Sequence, residues 1–166
     1  MKTLALYPGS FDPITFGHLD ILQRATELFD KIILTIAINS RKEAVFTGDE
    51  REALLKKCLQ GKAWADKVEI EQFSGLLVNF AKQKKAQTLI RGVRQISDFE
   101  YEFRMALTNR RLAPEVDTVF LMPNEHLTFI SASLVKEVAF WGGDLSSFVP
   151  EHVADALLKK LKENDN

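Results

Sequence analysis

Several stretches of this 166-residue chain carry side chains that could act on a phosphate. The richest is Tyr7 to Asp20, YPGSFDPITFGHLD, in which Thr15, Gly17 and His18 form a T-x-G-H run. It lies between a short apolar run, Thr3 to Leu6, and a helical pattern carried by Ile21, Leu22, Ala25, Leu28 and Phe29. A strand, a Gly- and Pro-bearing loop and a helix start aim free helix N–H groups at the loop, where an anion can sit. Gly17 lets a ligand approach the backbone closely, and His18 places an imidazole in the first helical turn. Further along, Arg91-Gly92-Val93-Arg94 sets two guanidiniums three residues apart, each a planar fork matched to phosphoryl oxygens. Arg41 and Lys42 follow a strand pattern, and Ser131 stands where it can cap a helix. Taken singly, each of these has an ordinary alternative: a histidine that packs a helix, or basic residues solvated in a loop.

The elements that position these residues follow from pattern. Lys31 to Ile38, KIILTIAI, is nearly continuously aliphatic, as a strand covered on both faces must be. Thr47-Gly-Asp-Glu50 is a capping box that opens a helix over 48–59, with Ala53, Leu54, Leu55 and Cys58 on its apolar side. Val68 to Phe73 alternates as a third strand, and 76–84 is a third helix. Thr88 to Ile90 is a short fourth strand that delivers Arg91. A helix over 97–112 opens with acidic residues, and its Phe99, Phe103 and Leu107 stripe suits the core or a subunit interface. Thr118 to Met122 is a fifth strand, 132–141 a capped helix, and about 150–162 a C-terminal helix marked by Val153, Leu157, Leu158 and Leu161. Strands alternating with helices predict an α/β fold: a Rossmann-like, doubly wound, five-stranded parallel sheet with helices on both faces, in a single domain over 1–166. Spacing does not give the strand order.

Composition narrows the field. An apolar fraction of 46% and a charged fraction of 27% are those of a globular protein, and a net charge of −1 argues against an electrostatic nucleic-acid binder. Cys58 is the only cysteine, which leaves no intrachain disulfide and no paired-cysteine metal site, and its apolar surroundings predict a core residue. His126 and His152 show no ligand spacing and are expected at the surface. The apolar run in MKTLALYPG is too short for a signal peptide and nothing approaches a membrane span, so a cytoplasmic location is expected. Neither a Walker A loop nor G-x-G-x-x-G occurs.

The T-x-G-H run resembles the (H/T)xGH signature of the nucleotidyltransferase superfamily. PGSFDPITFGH, LIRGVRQISDFEYEFRMALTNRRL and TVFLMPNEHLTFISASLVKEVA together resemble the bacterial phosphopantetheine adenylyltransferases, in order and spacing, over nearly the whole chain. The resemblance implies transfer of the adenylyl group of ATP to 4′-phosphopantetheine, giving dephospho-coenzyme A and pyrophosphate, with Mg2+ carried mainly by the ATP phosphates. It implies that Ser10 and Phe11 meet both ligands, that His18 stabilises charge at the α-phosphoryl group, and that Lys42 neutralises phosphates of both substrates. Arg91 is placed on the phosphate of phosphopantetheine, and Leu76 and Leu77 along its arm. ATP contacts are implied for Gly92, Val93, Arg94 and Glu102, and for Leu127, Thr128, Phe129, Ile130, Ser131, Ala132 and Ser133. Two positions depart from the family pattern. Ser10 stands where threonine is also common and keeps the hydroxyl, while Ala132 stands where many relatives have serine and loses one. A homohexamer and feedback by coenzyme A are further family expectations. Two other readings stay open on the residues: another phosphorylated acceptor, such as nicotinate mononucleotide, and a nucleotide-binding module without turnover.

Overall fold

The computed structural model describes residues 3–39 and 43–164. Strands β1 (Leu4–Gly9), β2 (Lys31–Ala37), β3 (Val68–Phe73), β4 (Thr88–Gly92) and β5 (Asp117–Leu121) form one sheet, and every neighbouring pair in it runs parallel. The spatial order is β3-β2-β1-β4-β5. The chain therefore builds outward from β1 in one direction, then crosses back and builds in the other. Helices α1 (Phe16–Leu28), α2 (Gly48–Leu59), α3 (Leu77–Lys84), α4 (Ile96–Leu112), α5 (Ala132–Phe140) and α6 (Glu151–Asn164) complete the alternation.

Side chains alternate in direction along a strand, and here the alternation divides the core in two. Tyr7, Ile32, Leu34, Ile36 and Ile90 point to one face, where Leu22 of α1, Leu55 of α2, Val135 of α5 and Leu157 of α6 cover them. Leu6, Ile33 and Leu89 point the other way, toward Val78 and Ala81 of α3 and Ala113 and Val116 after α4. This is the doubly wound arrangement with helices on both faces.

The capping signals hold. Thr47 Oγ1 accepts from the Glu50 N–H at 3.2 Å while the Glu50 carboxylate accepts from the Thr47 N–H at 2.8 Å. Ser131 Oγ accepts from the Leu134 N–H at 3.1 Å. Cys58 is buried, and desolvation pushes its thiol up to about 11.

Some expectations fail for physical reasons. On α2 the buried side carries Arg51 where Ala53 was expected, and Ala53 is exposed. Leu28, at the end of α1, is exposed although it falls on the apolar period. His152 is half-buried rather than fully exposed at the surface. Its Nε2 lies 3.2 Å from the Leu54 carbonyl and 3.5 Å from Cys58 Sγ, so the ring helps seat α6 on α2. The Phe99, Phe103 and Leu107 stripe is not core: the three are 44%, 45% and 48% exposed. No helix among the described residues is long and apolar enough to cross a membrane.

Candidate active site

The sheet itself opens the site. β1 pairs with β2 from Leu4–Lys31 through Gly9–Ile36, but with β4 only at Ala5–Thr88 and Leu6–Leu89. Beyond those rungs the carboxyl ends of the two central strands part, at the point where the winding direction reverses. Open α/β sheets bind ligands in such a crevice. One backbone acceptor left without a ladder partner, the Pro8 carbonyl, takes a hydrogen bond from Arg91 Nη1 at 2.8 Å, so a side chain bridges the gap. Gly92 closes β4 on the other side of the crevice. A Cβ there would run into Ile21 Cδ1, so a larger residue at this strand end would have to displace that methyl group.

The T-x-G-H run is a helix cap in which histidine takes the place usually held by glutamate. Thr15 is the N-cap of α1, and its Oγ1 accepts from the His18 N–H at 3.3 Å. In return His18 Nδ1 accepts from the Thr15 N–H at 3.1 Å. This reciprocal pair satisfies two helix-end donors. It also selects the tautomer. With Nδ1 accepting, the proton of the neutral ring sits on Nε2, which is left free to donate. Burial disfavours the charged ring, and the Arg94 and Arg91 guanidiniums add to this, so the pKa falls from 6.5 to about 4. Neutral His18 thus contributes stability above pH 6.5 that is lost as the pH falls toward 4. We expect the His18 ring proton signals in a wild-type NMR titration to stay flat between about pH 5.5 and 8. A midpoint near 6.5 would contradict this capping geometry.

Phe11 backs the imidazole. Its ring is buried and meets Tyr7 edge-on at 5.5 Å and His18 at 5.2 Å between centroids. Its backbone takes the left-handed conformation, φ 48°, a strained choice for a bulky residue that only surrounding packing can hold. Gly9 permits it, since a Cβ there would sit 2.9 Å from the Phe11 ring. What Phe11 can offer a ligand is therefore its backbone. The next bond, Asp12–Pro13, is cis.

Both arginines of the RGVR run are held in place. Arg91 Nε and Nη2 grip the two Glu102 oxygens at 2.7 and 2.6 Å, a two-bond fork with a carboxylate that is itself buried. Burial opposes the Arg91 charge, but the Glu102 bonds outweigh it and the guanidinium holds its proton more firmly than in water. Arg94 reaches Asp98 through Nε at 3.0 Å and the Ile130 carbonyl through Nη1 at 2.7 Å. The pair is thus a prearranged frame tied to β1, α4 and the loop before α5, with no loose surface arms.

The crevice has two lobes. One, a cavity of about 650 Å³, runs past Ala37, Arg51, Phe73, Leu77 and Asn109. The other, about 290 Å³, is lined by Thr15, Gly17, His18, Arg94 and Ile130. Both contain Gly9, Ser10, Arg91, Glu102, Ala132 and Ser133, so the lobes meet at the end of β1 and the start of α5. Gly92 and Ser131 line the smaller lobe. Other candidates stand off the cleft. Leu76 is the exposed N-cap of α3, and the Val93 N–H is bonded to the Leu121 carbonyl. Thr128 donates its hydroxyl to the Glu125 carbonyl, and Phe129 packs edge-on against Phe148. The Leu127 carbonyl lies 3.6 Å from where a Gly17 Cβ would be, beside the cap rather than in a lobe. Lys42 lies outside the described residues.

The structure adds residues that pattern alone passed over. Asp12 is buried, accepts from the Val45 and Phe46 N–H groups at 3.0 and 2.9 Å, and lies 3.6 Å from Lys136 Nζ. It ties the segment after residue 42 to the β1–α1 loop. Arg51 and Lys136 both face the larger lobe. The acid in PGSFDP was the one available signal for Asp12, because a buried carboxylate needs partners.

Comparison with known proteins agrees with this architecture. The cytidylyltransferase-like family model matches residues 6–138. A phosphopantetheine adenylyltransferase from Proteus mirabilis strain HI4320 is 52% identical over 161 residues, 97% of this chain and 98% of its own length. That from Photorhabdus laumondii is 50% identical over 97% of this chain and 99% of its own length. Among solved structures, a Plasmodium falciparum nicotinic acid mononucleotide adenylyltransferase complexed with NaAD superposes with a TM-score of 0.74 at 15% identity, covering 100% of this chain and 99% of that one. A bifunctional NMN adenylyltransferase/ADP ribose pyrophosphatase from Francisella tularensis gives 0.68 at 17% identity, covering 99% of this chain and 53% of that one. At such identities these structures speak to the fold alone. The parallel sheet with its capped T-x-G-H helix, the family match and half-identity along nearly the whole length lead to one assignment: the chain belongs to the cytidylyltransferase-like nucleotidyltransferases and, among them, to the phosphopantetheine adenylyltransferase family.

Proposed function

We propose that this protein transfers the adenylyl group of ATP to 4′-phosphopantetheine, giving 3′-dephospho-coenzyme A and pyrophosphate. The observation that carries the reading is the near-full-length identity of about half to relatives bearing that name. The two-lobed cleft supplies a physical route. ATP takes the His18 and Arg94 lobe and the acceptor takes the Arg51 and Leu77 lobe, which brings both reacting phosphates to Ser10 and Arg91. An acceptor phosphate oxygen attacks the α-phosphorus, and the bond from that phosphorus to the bridging oxygen breaks, releasing pyrophosphate. A phosphate monoester is largely dianionic at neutral pH, so no general base is needed. Catalysis is then positioning plus stabilisation of charge on the α-phosphoryl oxygens.

His18 Nε2–H donates to that group as charge builds, and the α5 N-terminus behind Ser131 faces the phosphates with its free N–H groups. Arg91 and Lys42 hold the acceptor phosphate, Arg94 serves the nucleotide, and Leu77 lines the arm of the acceptor. Mg2+ enters as MgATP, held by phosphates and water. The exposed Phe99, Phe103 and Leu107 stripe supports assembly into a homohexamer, and coenzyme A, which contains the product, is the fitting feedback ligand of the same cleft. A cytoplasmic setting suits these substrates.

Acceptor competition tests the reading. With MgATP and equal 4′-phosphopantetheine and nicotinate mononucleotide, we expect adenylylation of the first alone. A dinucleotide product from the second would move the protein to a different branch of the fold.

A further inference from the structure

Among the described residues, Arg51 is the one arginine of the cleft that has no carboxylate partner. Its side chain is 5% exposed, yet it faces the larger lobe. Nη1 donates to the Ser10 carbonyl at 2.8 Å and to the Ala37 carbonyl at 3.2 Å, and Nε donates to the Thr47 carbonyl at 3.3 Å. Three acceptors from the β1–α1 loop, the end of β2 and the cap of α2 thus hold the guanidinium in one orientation. Nη2 makes no bond among the described residues. No described side-chain nitrogen or oxygen is both sealed from solvent and unpartnered, so Nη2 is accessible, and because Arg51 lines the larger lobe this edge is assigned to the cavity.

The charge is uncompensated as well as fixed. The carboxylates lining the same lobe are engaged or distant. Asp12 is bonded to the Val45 and Phe46 N–H groups and near Lys136, while Glu102 is gripped by Arg91. Glu43 is exposed at the rim and not within ion-pair distance of Arg51. A buried cation held only by carbonyl dipoles is costly, and an arriving anion removes that cost. A guanidinium used only to brace backbone would gain nothing from an open Nη2 edge.

We propose that Arg51 is a specificity-determining residue of the acceptor lobe: fixed beneath Ser10, it supplies the unneutralised charge that selects a phosphorylated acceptor over its dephosphorylated form. This rests on the acceptor reading above. Arg91, whose charge Glu102 already balances, positions the phosphate, whereas Arg51 makes the lobe require one. The lobe floor thereby favours a dianion before ATP is engaged.

Calorimetric titration of wild type, R51Q and R51K with 4′-phosphopantetheine, pantetheine and ATP separately tests this. We expect R51Q to bind 4′-phosphopantetheine about tenfold more weakly or worse, with pantetheine and ATP changed less than about threefold. R51K keeps the charge without the fork and should fall between. Equal weakening of both acceptors would make Arg51 a scaffold residue, and unchanged affinity in both variants would remove its role; either result overturns the proposal. If R51Q melts below the assay temperature, R51K decides alone: a loss confined to the phosphorylated acceptor supports the proposal, and an equal loss or none overturns it. Wild type that binds pantetheine as well as its phosphate would strike the acceptor reading itself.

Discussion

Replacing His18 with alanine should lower kcat by about 10²–10³ while leaving the Kd for ATP within about threefold, because a donor aimed at developing charge acts mainly in the transition state. The geometry makes this sharper than a bare motif match. Thr15 holds Nδ1, so a neutral ring presents Nε2–H in one direction, and the low pKa of about 4 keeps it neutral across the working range. The variant loses half of the capping pair as well, costing about 1 kcal/mol of stability. Single-turnover rates at saturating substrates, with melting curves as control, separate the two effects. A folded His18→Ala protein with near-normal turnover at saturation and weakened ATP binding would remove His18 from the chemistry.

Arg91→Ala should act on the acceptor and on the fold together. The KM for 4′-phosphopantetheine should rise about a hundredfold with little change for ATP, since a fork on a phosphate is a charge-assisted contact. Stability should drop too, by about 2–4 kcal/mol, because Glu102 is left as a buried carboxylate without its partner. The two consequences can be pulled apart. Arg91→Met with Glu102→Gln removes both charges, and should recover most of the melting temperature without recovering acceptor affinity. An effect confined to ATP would contradict the assignment of Arg91, and a double variant no more stable than Arg91→Ala would contradict the ion-pair account.

Much of the fold was legible because its signals are local. Aliphatic runs such as KIILTIAI mark doubly covered strands, and Thr47 and Ser131 announced their helices through caps that the structure contains. The T-x-G-H run gave the place of the imidazole. It did not give the tautomer, which depends on the Thr15 N–H meeting Nδ1. Strand order was not legible, because it is set by which edges meet across the sheet. The parting of β1 from β4 beyond Leu6 and Leu89, which opens the cleft, belongs to that order.

Arg51 was missed for a related reason. Helical periodicity puts an apolar residue on the buried side of α2, and only the carbonyls of Ser10, Ala37 and Thr47, distant in sequence or at the helix cap, make an arginine tolerable there. The Phe99, Phe103 and Leu107 stripe shows the converse. A sound apolar period points to a covered surface, but here the described residues leave the stripe about half exposed. Leu76 and Leu77 are neighbours in sequence, yet only Leu77 turns into the cleft, because the start of α3 falls between them.

Pyrophosphate release from MgATP, followed with and without 4′-phosphopantetheine while the organic product is weighed by mass spectrometry, tests the central claim most directly. Release is expected only when the acceptor is present, with one dephospho-coenzyme A formed per pyrophosphate. Folded protein that binds ATP but releases no pyrophosphate with this acceptor, or releases it equally well without any, would contradict it.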